Sequence, residues 1–265
     1  MIDNNTSTFS RWIKDQAKQT KLLFHSIPSY VVAFFVVSVI AMNILANKTI
    51  VNEQWIALDG GFVVSWLSFL CMDVVTKHFG PRAANRMTIF AVVVNLVVCL
   101  LFFLVSLIPT KDDYTVFNQI IGGTWFILLS STIAFIASGI LNNFLNYFTN
   151  KQFKKNPDGK VAYAASTYIS TFIGQFVDNF IFAVLTFMVF APIFWDGFHW
   201  TIIQVVICSL TGAVFELLME VVFSPLGYMV SRRCKKDGVG EAYFAYMEEK
   251  NNENIDHRGR LSEGR

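Results

Sequence analysis

A long apolar stretch, residues 166–191, decides the fold and reads STYISTFIGQFVDNFIFAVLTFMVFA. It exceeds the roughly 20 residues that an α-helix needs to cross a bilayer. Four polar side chains lie near its centre: Thr171, Gln175, Asp178 and Asn179. Their spacings of three and four residues place them on one face of a helix. A charged side chain at that depth costs about 2.5–3.5 kcal/mol on insertion scales, so this face is expected to meet protein, water or a ligand.

The composition indicates the same class of protein for the whole chain. Of its 265 residues, 54% are hydrophobic and 15% are charged, whereas a soluble domain carries about 25% charged residues. The mean hydropathy is +0.48. The 4 cysteines form no Cys-x-x-Cys pair, so neither a disulfide framework nor a zinc site is indicated. The composition predicts an all-α, polytopic membrane protein.

Six apolar runs predict six transmembrane helices. They are Tyr30–Ala46, Gly60–Thr76, Met87–Ile108, Ile120–Phe148, Thr167–Ala191 and Thr201–Val230. All but two of the 21 Lys and Arg residues precede the first run, follow the last, or lie in every second joint. The exceptions are Lys48 and Lys111. Because cytoplasmic segments carry the excess of cations, both termini are expected in the cytoplasm.

These boundaries predict three parts. Residues 1–27 form a cytoplasmic segment, residues 28–231 a six-helix transmembrane domain, and residues 232–265 a cytoplasmic tail. A multi-pass protein of the plasma (inner) membrane is expected, with the lipid bilayer as its surroundings and no nucleic-acid partner. Homo-oligomer formation is compatible with the sequence.

Two charged pairs accompany the polar face. Asp73 and Lys77 are four residues apart, so one helical face holds both; they form either a local ion pair or part of a functional charge network. Glu216 and Glu220 are also four apart and repel each other unless one is protonated or a cation intervenes. Either they pair with a cation such as Lys77 across helices, or they are proton-linked or cation-binding acids.

For Asp178 and its neighbours a ligand or proton site is favoured over an interhelical hydrogen-bond cluster, because an acid and two amides lie together at depth. The chain has no Gly-x-x-x-x-Gly-Lys-Ser/Thr loop and no His-Glu-x-x-His motif, so neither ATP hydrolysis by that loop nor zinc catalysis of that type is indicated. No enzyme activity, no cofactor and no metal are expected. Binding and translocation fit better than bond chemistry.

Four motifs resemble the vitamin uptake transporter (VUT) family, which includes the queuosine precursor transporters. The first, DVVTKHFG, spans residues 73–80 and is followed by Arg82 and Arg86. The second is STFIGQFVD at residues 170–178. The third, EVVFSPLGY, spans residues 220–228, and the fourth runs from Asn43 to Lys48.

The resemblance implies a six-span carrier that imports a small heterocycle, such as the 7-deazapurines preQ0 and preQ1, and it adds Asn43 to the candidate substrate-binding residues. The polar face suits such a cargo. A carboxylate accepts two N–H donors and an amide answers a carbonyl. Phe172, Phe176 and Phe180 are expected to stack on the ring.

Many relatives carry Glu at the position of Lys77 and Lys at the position of Glu216. This reciprocal exchange favours a pair between the two residues across spans two and six. An alternative function is the substrate-binding S-component of an energy-coupling-factor vitamin importer. Such subunits usually carry an Ala-x-x-x-Ala face on the first span, and Ala33, Ala41 and Ala46 do not make that spacing.

Overall fold

The structure is a computed structural model that describes residues 3–46, 48–53, 56–122, 125–153, 159–194 and 199–263. Within these ranges the elements are α1 (Asp3–Ser26), α2 (Ser29–Leu45), β1 (Thr49–Glu53), β2 (Ile56–Asp59), α3 (Phe62–Phe79), α4 (Pro81–Ser106), α5 (Thr115–Gly122), α6 (Trp125–Gln152), α7 (Lys160–Ala183), a π-helical segment (Val184–Phe190), α8 (Ala191–Phe194), α9 (Ile202–Lys236) and α10 (Glu241–Glu263).

Five helical stretches are long and apolar enough to cross a membrane. They are α3, α4, α6, α7 with its continuation to Ile193, and α9. A sixth is counted when α1 from Trp12 onward and α2 are taken together as one broken span. The predicted all-α polytopic membrane fold is therefore confirmed, with five or six spans among the described residues. The cytoplasmic placement of both termini stays a prediction.

The fourth apolar run, expected as one span over Ile120–Phe148, lies in two described helices. α5 ends at Gly122 and α6 begins at Trp125, while Gly123 and Thr124 lie outside the described residues. α6 alone is long and apolar enough to cross a membrane.

The link between α2 and α3 contains a β-hairpin, which the apolar pattern did not indicate. Its strands pair antiparallel, with Val51 opposite Leu58 and Glu53 opposite Ile56. β-Branched residues favour this extended conformation. The two strands satisfy each other's backbone groups, which would otherwise need water.

The burial pattern is the reverse of that in a water-soluble domain. Apolar side chains of α4 are about half exposed, as in Val97 (52%) and Leu104 (50%), whereas Gln175 and Glu220 are completely buried. In a bilayer the exposed apolar side chains meet lipid, and polar groups gather between helices. The functional residues are therefore expected in the interior.

Glycines allow the interior helices to approach closely. A Cβ atom at Gly174 of α7 would lie 3.0 Å from Cε1 of Phe69 on α3. A Cβ atom at Gly227 of α9 would lie 2.6 Å from Cδ1 of Leu70, also on α3. Small residues at such crossings are typical of helix packing in membranes. α3 thus contacts both α7 and α9, and their polar side chains come together.

Residues 1–31 and 233–265 form one compact unit, and residues 32–232 form another. In the first unit, α1 contacts α10: Asp15 accepts a hydrogen bond from the hydroxyl of Tyr246 and pairs with Lys250. The ammonium of Lys18 lies 4.5 Å from the centroid of the Tyr246 ring. The terminal segments therefore contain helices held together by charge and ring contacts. The predicted three-part division of the chain stays a prediction.

Candidate functional site

One face of α7 carries the polar residues that the sequence singled out. Thr171 and Gln175 are completely buried, and Asp178 and Asn179 are half-buried. The shared face follows from the helical repeat of 3.6 residues. Other buried polar side chains of α7 are Ser166, Thr167 and Ser170.

Asp178 is held from α6. The hydroxyl of Ser138 donates a hydrogen bond of 2.6 Å to Oδ1 of Asp178. Ser138 is completely buried, and Gly139 beside it lets α6 pack against Met72 and Thr88. Sequence analysis missed Ser138, because a serine within a span more often bonds to its own backbone than to another helix.

Asn179 reaches across to α9. Its Nδ2 donates to Oε2 of Glu216 over 3.4 Å, and the hydroxyl of Ser65 on α3 donates to Oε1 of Glu216 over 2.5 Å. A Cβ atom at Gly212 would lie 2.7 Å from Nδ2 of Asn179, so this glycine makes room for the amide. Glu216 therefore joins three helices through neutral donors. Ser65 was also missed, since nothing along the chain links it to Glu216.

We call these residues the Asp178 cluster: Ser65, Ser138, Thr171, Gln175, Asp178, Asn179 and Glu216. Gln175 and Thr171 differ from the others. Neither Nε2 nor Oε1 of Gln175 has a hydrogen-bond partner among the described residues, and Oγ1 of Thr171 has none either. A buried amide without partners is rare in proteins. Gln175 therefore offers a donor and an acceptor to a polar ligand.

The expected stacking residues lie beside the polar face. Phe176 and Phe180 stack on each other, with ring centroids 5.9 Å apart. They follow Gln175 by one and Asp178 by two positions, which turns them about 100° and 200° away around the helix. Another ring, the buried Phe69, contacts Gly174 and meets Phe135 edge to face at 6.3 Å. Stacking of a cargo on Phe172, Phe176 and Phe180 stays a prediction.

A second polar group surrounds Asp73 on α3, which is completely buried. Its Oδ1 accepts a hydrogen bond of 3.0 Å from Nδ2 of Asn142 on α6. Thr167 of α7 and Asn146 of α6 lie close enough to interact with the Asp73 carboxyl group. We call Asp73, Asn142, Asn146, Tyr163, Thr167 and Glu220 the Asp73 cluster. It contains two buried acids and mostly neutral groups.

Lys77 points toward α6 and α7. Its ammonium donates to Oδ1 of Asn150 over 2.6 Å, to the carbonyl of Ala162 over 3.4 Å and to the hydroxyl of Ser166. The ammonium also lies 5.3 Å from the centroid of the Tyr163 ring. These three hydrogen bonds go to neutral acceptors, and the ammonium also interacts electrostatically with the Asp73 carboxyl group.

The expected pair between Lys77 and Glu216 was wrong. Glu216 binds Ser65, which precedes Lys77 by twelve residues on α3, and that separation is about 18 Å along a helix. The side chains are too short to close this gap. The two positions are therefore not partners, despite their reciprocal exchange.

Glu220 lies one helical turn beyond Glu216 and has different surroundings. Both carboxyl oxygens are buried without a hydrogen-bond partner among the described residues. Glu220 is close enough to Asp73 for their charges to interact, and Tyr163 is near both acids. The structure brings Glu220 to Asp73 rather than to the Asp178 cluster.

Asn43 lies apart from this face. Its Nδ2 donates to the carbonyl of Val39 over 3.0 Å, and its Oδ1 accepts from the hydroxyl of Ser131 on α6. Ser131 precedes Ser138 by seven residues, about 10 Å along the helix. Asn43 instead lines a pocket with Asn95 and other residues of α2, α4, α5 and α6. A substrate-binding role for Asn43 stays a prediction.

Among the described residues, no group of three or more His, Cys, Asp or Glu side chains is placed to hold a metal ion. Residues 59–230 match the family model described as Putative vitamin uptake transporter, which is more than half of the chain. The chain belongs to the Putative vitamin uptake transporter family. No curated protein and no solved structure matches it.

Membership in this family confirms the resemblance read from the motifs. The matched region runs from the end of the β-hairpin into α9 and contains both clusters, whereas Asn43 precedes it. Together with the apolar helices, it identifies a multi-pass membrane protein of a transporter family.

Proposed function

We propose that the protein imports a queuosine precursor across the plasma membrane: a 7-deazapurine such as preQ0 or preQ1, or a similarly small nitrogenous heterocycle. The family supports transport of a vitamin-like small molecule. The chemistry of the Asp178 cluster supports the finer choice of cargo.

The observation that carries this proposal is the unpartnered amide of Gln175. Its donor and acceptor are buried at the middle of α7 without protein partners among the described residues, one turn from the carboxyl group of Asp178. A guanine-like edge presents adjacent N–H donors and a carbonyl acceptor. A carboxylate can accept two N–H groups, and an amide can donate to the carbonyl.

The ring of Phe69 offers a surface to the apolar face of such a cargo. Phe69 is completely buried and lies against Gly174, which directly precedes Gln175. Aromatic rings attract flat heterocycles through offset or edge-to-face contacts. The absence of a side chain at Gly174 brings this ring close to the polar face, so a flat ring with one polar edge is a suitable ligand.

Uptake of radiolabelled preQ1 by cells that cannot make or import queuosine precursors tests the proposal. We expect the wild-type protein to restore saturable uptake. Asp178→Ala should reduce it by about tenfold or more, since a hydrogen bond to a charged group contributes about 1.5–3 kcal/mol. The matched control is Asp113→Asn, which changes a fully exposed acid outside the spans. Immunoblots of the membrane fraction correct for protein amount.

Three results would contradict the proposed cargo or its site, and a fourth would contradict transport without a partner. One is equal preQ1 uptake in cells with and without the protein. Another is full activity of Asp178→Ala. The third is competition by water-soluble vitamins but not by preQ0, which would assign the transporter to another cargo. Uptake that depends on a copurifying ATPase would contradict a carrier that works alone.

A further inference from the structure

The two acids of α9, Glu216 and Glu220, have different chemical surroundings although they lie on one face. Glu216 accepts hydrogen bonds from Ser65 and Asn179. Glu220 is completely buried, and neither of its oxygens has a hydrogen-bond partner among the described residues. Neutral donors stabilise an ionised carboxylate at Glu216, and no such donors are placed at Glu220.

Other unpartnered polar atoms lie close to Glu220. They belong to Tyr163, whose hydroxyl has no partner among the described residues, and to Asp73, whose Oδ2 has none. Asp73 interacts electrostatically with Glu220. Tyr163 interacts with both acids. The Tyr163 hydroxyl also lies against Gly227, two turns further along α9. Helices α3, α7 and α9 therefore converge on a pair of buried acids.

The charges around Glu220 disfavour a second negative charge. On α3 the facing groups are Asp73, Lys77 and Cys71, and on α7 the facing group is Tyr163. From α6 the amides of Asn142 and Asn146 interact with Asp73. Lys77 interacts electrostatically with Asp73 and donates hydrogen bonds to Asn150, Ala162 and Ser166.

An ionised carboxylate in the middle of a membrane costs about 2.5–3.5 kcal/mol on insertion scales. A like charge nearby raises this cost further. Protonation removes both penalties, because the neutral acid carries no charge and gains an O–H donor for Asp73 or Tyr163 to accept. With one proton bound, Glu220 is neutral and its O–H group has an acceptor nearby.

We propose that Glu220 is a proton-binding site that couples import of the cargo to a proton gradient. A proton binds to one carboxyl oxygen on the outer side and gives the neutral acid. It leaves as a proton on the inner side and restores the carboxylate, so atoms and charge balance over the cycle. This inference rests on the proposed transport function, but proton binding itself does not depend on the identity of the cargo.

Proton binding is measured without cargo. Infrared spectra of the purified protein between about pH 7 and pH 9, where exposed carboxyl groups are ionised, should contain the carbonyl stretch of a protonated carboxylic acid. We expect Glu220→Gln to remove this band and the matched variant Glu216→Gln to retain it, since Glu216 is held by donors to its ionised form. A band of unchanged intensity in Glu220→Gln, or no band from the wild-type protein throughout this pH range, would overturn the proposal.

Coupling is measured in proteoliposomes with preQ0 as the probe. With one proton per neutral cargo, an inward gradient of one pH unit should drive up to about tenfold accumulation. Glu220→Gln should abolish this accumulation but retain exchange of labelled for unlabelled preQ0, which needs no net proton movement. Loss of both in a correctly inserted variant, or accumulation driven by Na⁺ instead of protons, would overturn the coupling role.

The infrared and proteoliposome experiments distinguish a wrong choice of cargo from a wrong coupling role. If the wild-type protein does not exchange preQ0 but its infrared band depends on Glu220, the choice of cargo is wrong and the proton site stands. If preQ0 is exchanged and a pH gradient drives no accumulation in the wild-type protein, the cargo stands and the coupling role is wrong. This second measurement needs no variant, so misfolding of Glu220→Gln cannot obscure it.

Discussion

The Asp178 cluster and the Asp73 cluster are built from similar residues but leave different atoms without partners. In the Asp178 cluster the acids receive hydrogen bonds from neutral donors, whereas the amide of Gln175 and the hydroxyl of Thr171 have no partner among the described residues. In the Asp73 cluster the leftover atoms include both oxygens of Glu220. An unpartnered amide suits a ligand with its own donors and acceptors, whereas an unpartnered carboxyl group suits a proton. The Asp178 cluster thus suits cargo binding, and the Asp73 cluster suits proton binding.

The largest expected effect comes from replacing each acid of α9 by leucine. Glu216→Leu should lower the free energy of unfolding by about 1–3 kcal/mol, because Asn179 and Ser65 lose their acceptor. Glu220→Leu should raise it by about 1 kcal/mol, because a buried polar group without partners is removed. Thermal unfolding of the purified variants in detergent measures both. Changes of the same sign would show that the two acids do not differ as described.

The next effect concerns the space that Gly212 provides. A Cβ atom there would lie 2.7 Å from Nδ2 of Asn179, so Gly212→Ala should displace the amide and break its contact with Glu216. We expect the KM for cargo to rise about fivefold, which corresponds to roughly 1 kcal/mol.

Gly139→Ala is the matched control for this glycine. Its new Cβ atom would lie 3.3 Å from Sδ of Met72 and 3.3 Å from Cγ2 of Thr88, and neither residue belongs to the Asp178 cluster. The KM should therefore stay within about twofold of the wild-type value. Equal effects of the two substitutions would remove the specific role of the Asn179 contact.

A smaller effect is expected for Lys77 and Glu216. Because the structure separates them along α3, a double-mutant cycle with Lys77→Met and Glu216→Gln should give a coupling energy within about 0.5 kcal/mol of zero. Unfolding of the two single variants and the double variant provides the measurement. A coupling above that limit would restore the pair that the reciprocal exchange suggested.

The smallest effect is local and lies outside the spans. The hydroxyl and backbone amide of Thr115 donate to Oδ1 of Asp113 over 2.6 and 2.9 Å, and these hydrogen bonds lower the pKa of the Asp113 carboxyl group. These hydrogen bonds favour the ionised form of Asp113. Their stabilisation of the start of α5 is therefore fully present above the ordinary carboxyl pKa. It is lost as the pH falls through the lowered pKa. The Thr115 amide chemical shift should follow this titration in the wild-type protein and not in Asp113→Asn.

Much of the fold follows from the sequence alone. Apolar runs and the excess of cations on alternate joints depend on local composition, so the spans could be located without a structure. The polar face of α7 was also predictable, because the helical repeat fixes which positions share a face. The β-hairpin between α2 and α3 was missed because a pattern of apolar runs indicates spans and not the structure of the links between them.

The contacts between helices could not be predicted in the same way. Ser138 meets Asp178, and Ser65 meets Glu216, only because the helices cross at particular depths. Nothing along the chain encodes those depths. Lys77 was wrongly paired with Glu216 because the sequence does not give the depth of each residue in the membrane. It also left Glu216 and Glu220 equivalent until their surroundings were known.

The central claim is that water and cargo reach the buried polar face of α7. It is tested by thiol labelling of Gln175→Cys in a protein whose four native cysteines, Cys71, Cys99, Cys208 and Cys234, are replaced by serine. The control, Ile169→Cys, lies on another side of α7. The Ile169 side chain is 46% exposed and is expected to face lipid. We expect a small hydrophilic reagent to label position 175 but not position 169, and preQ1 to slow the labelling. Failure to label position 175 under any condition would contradict the claim.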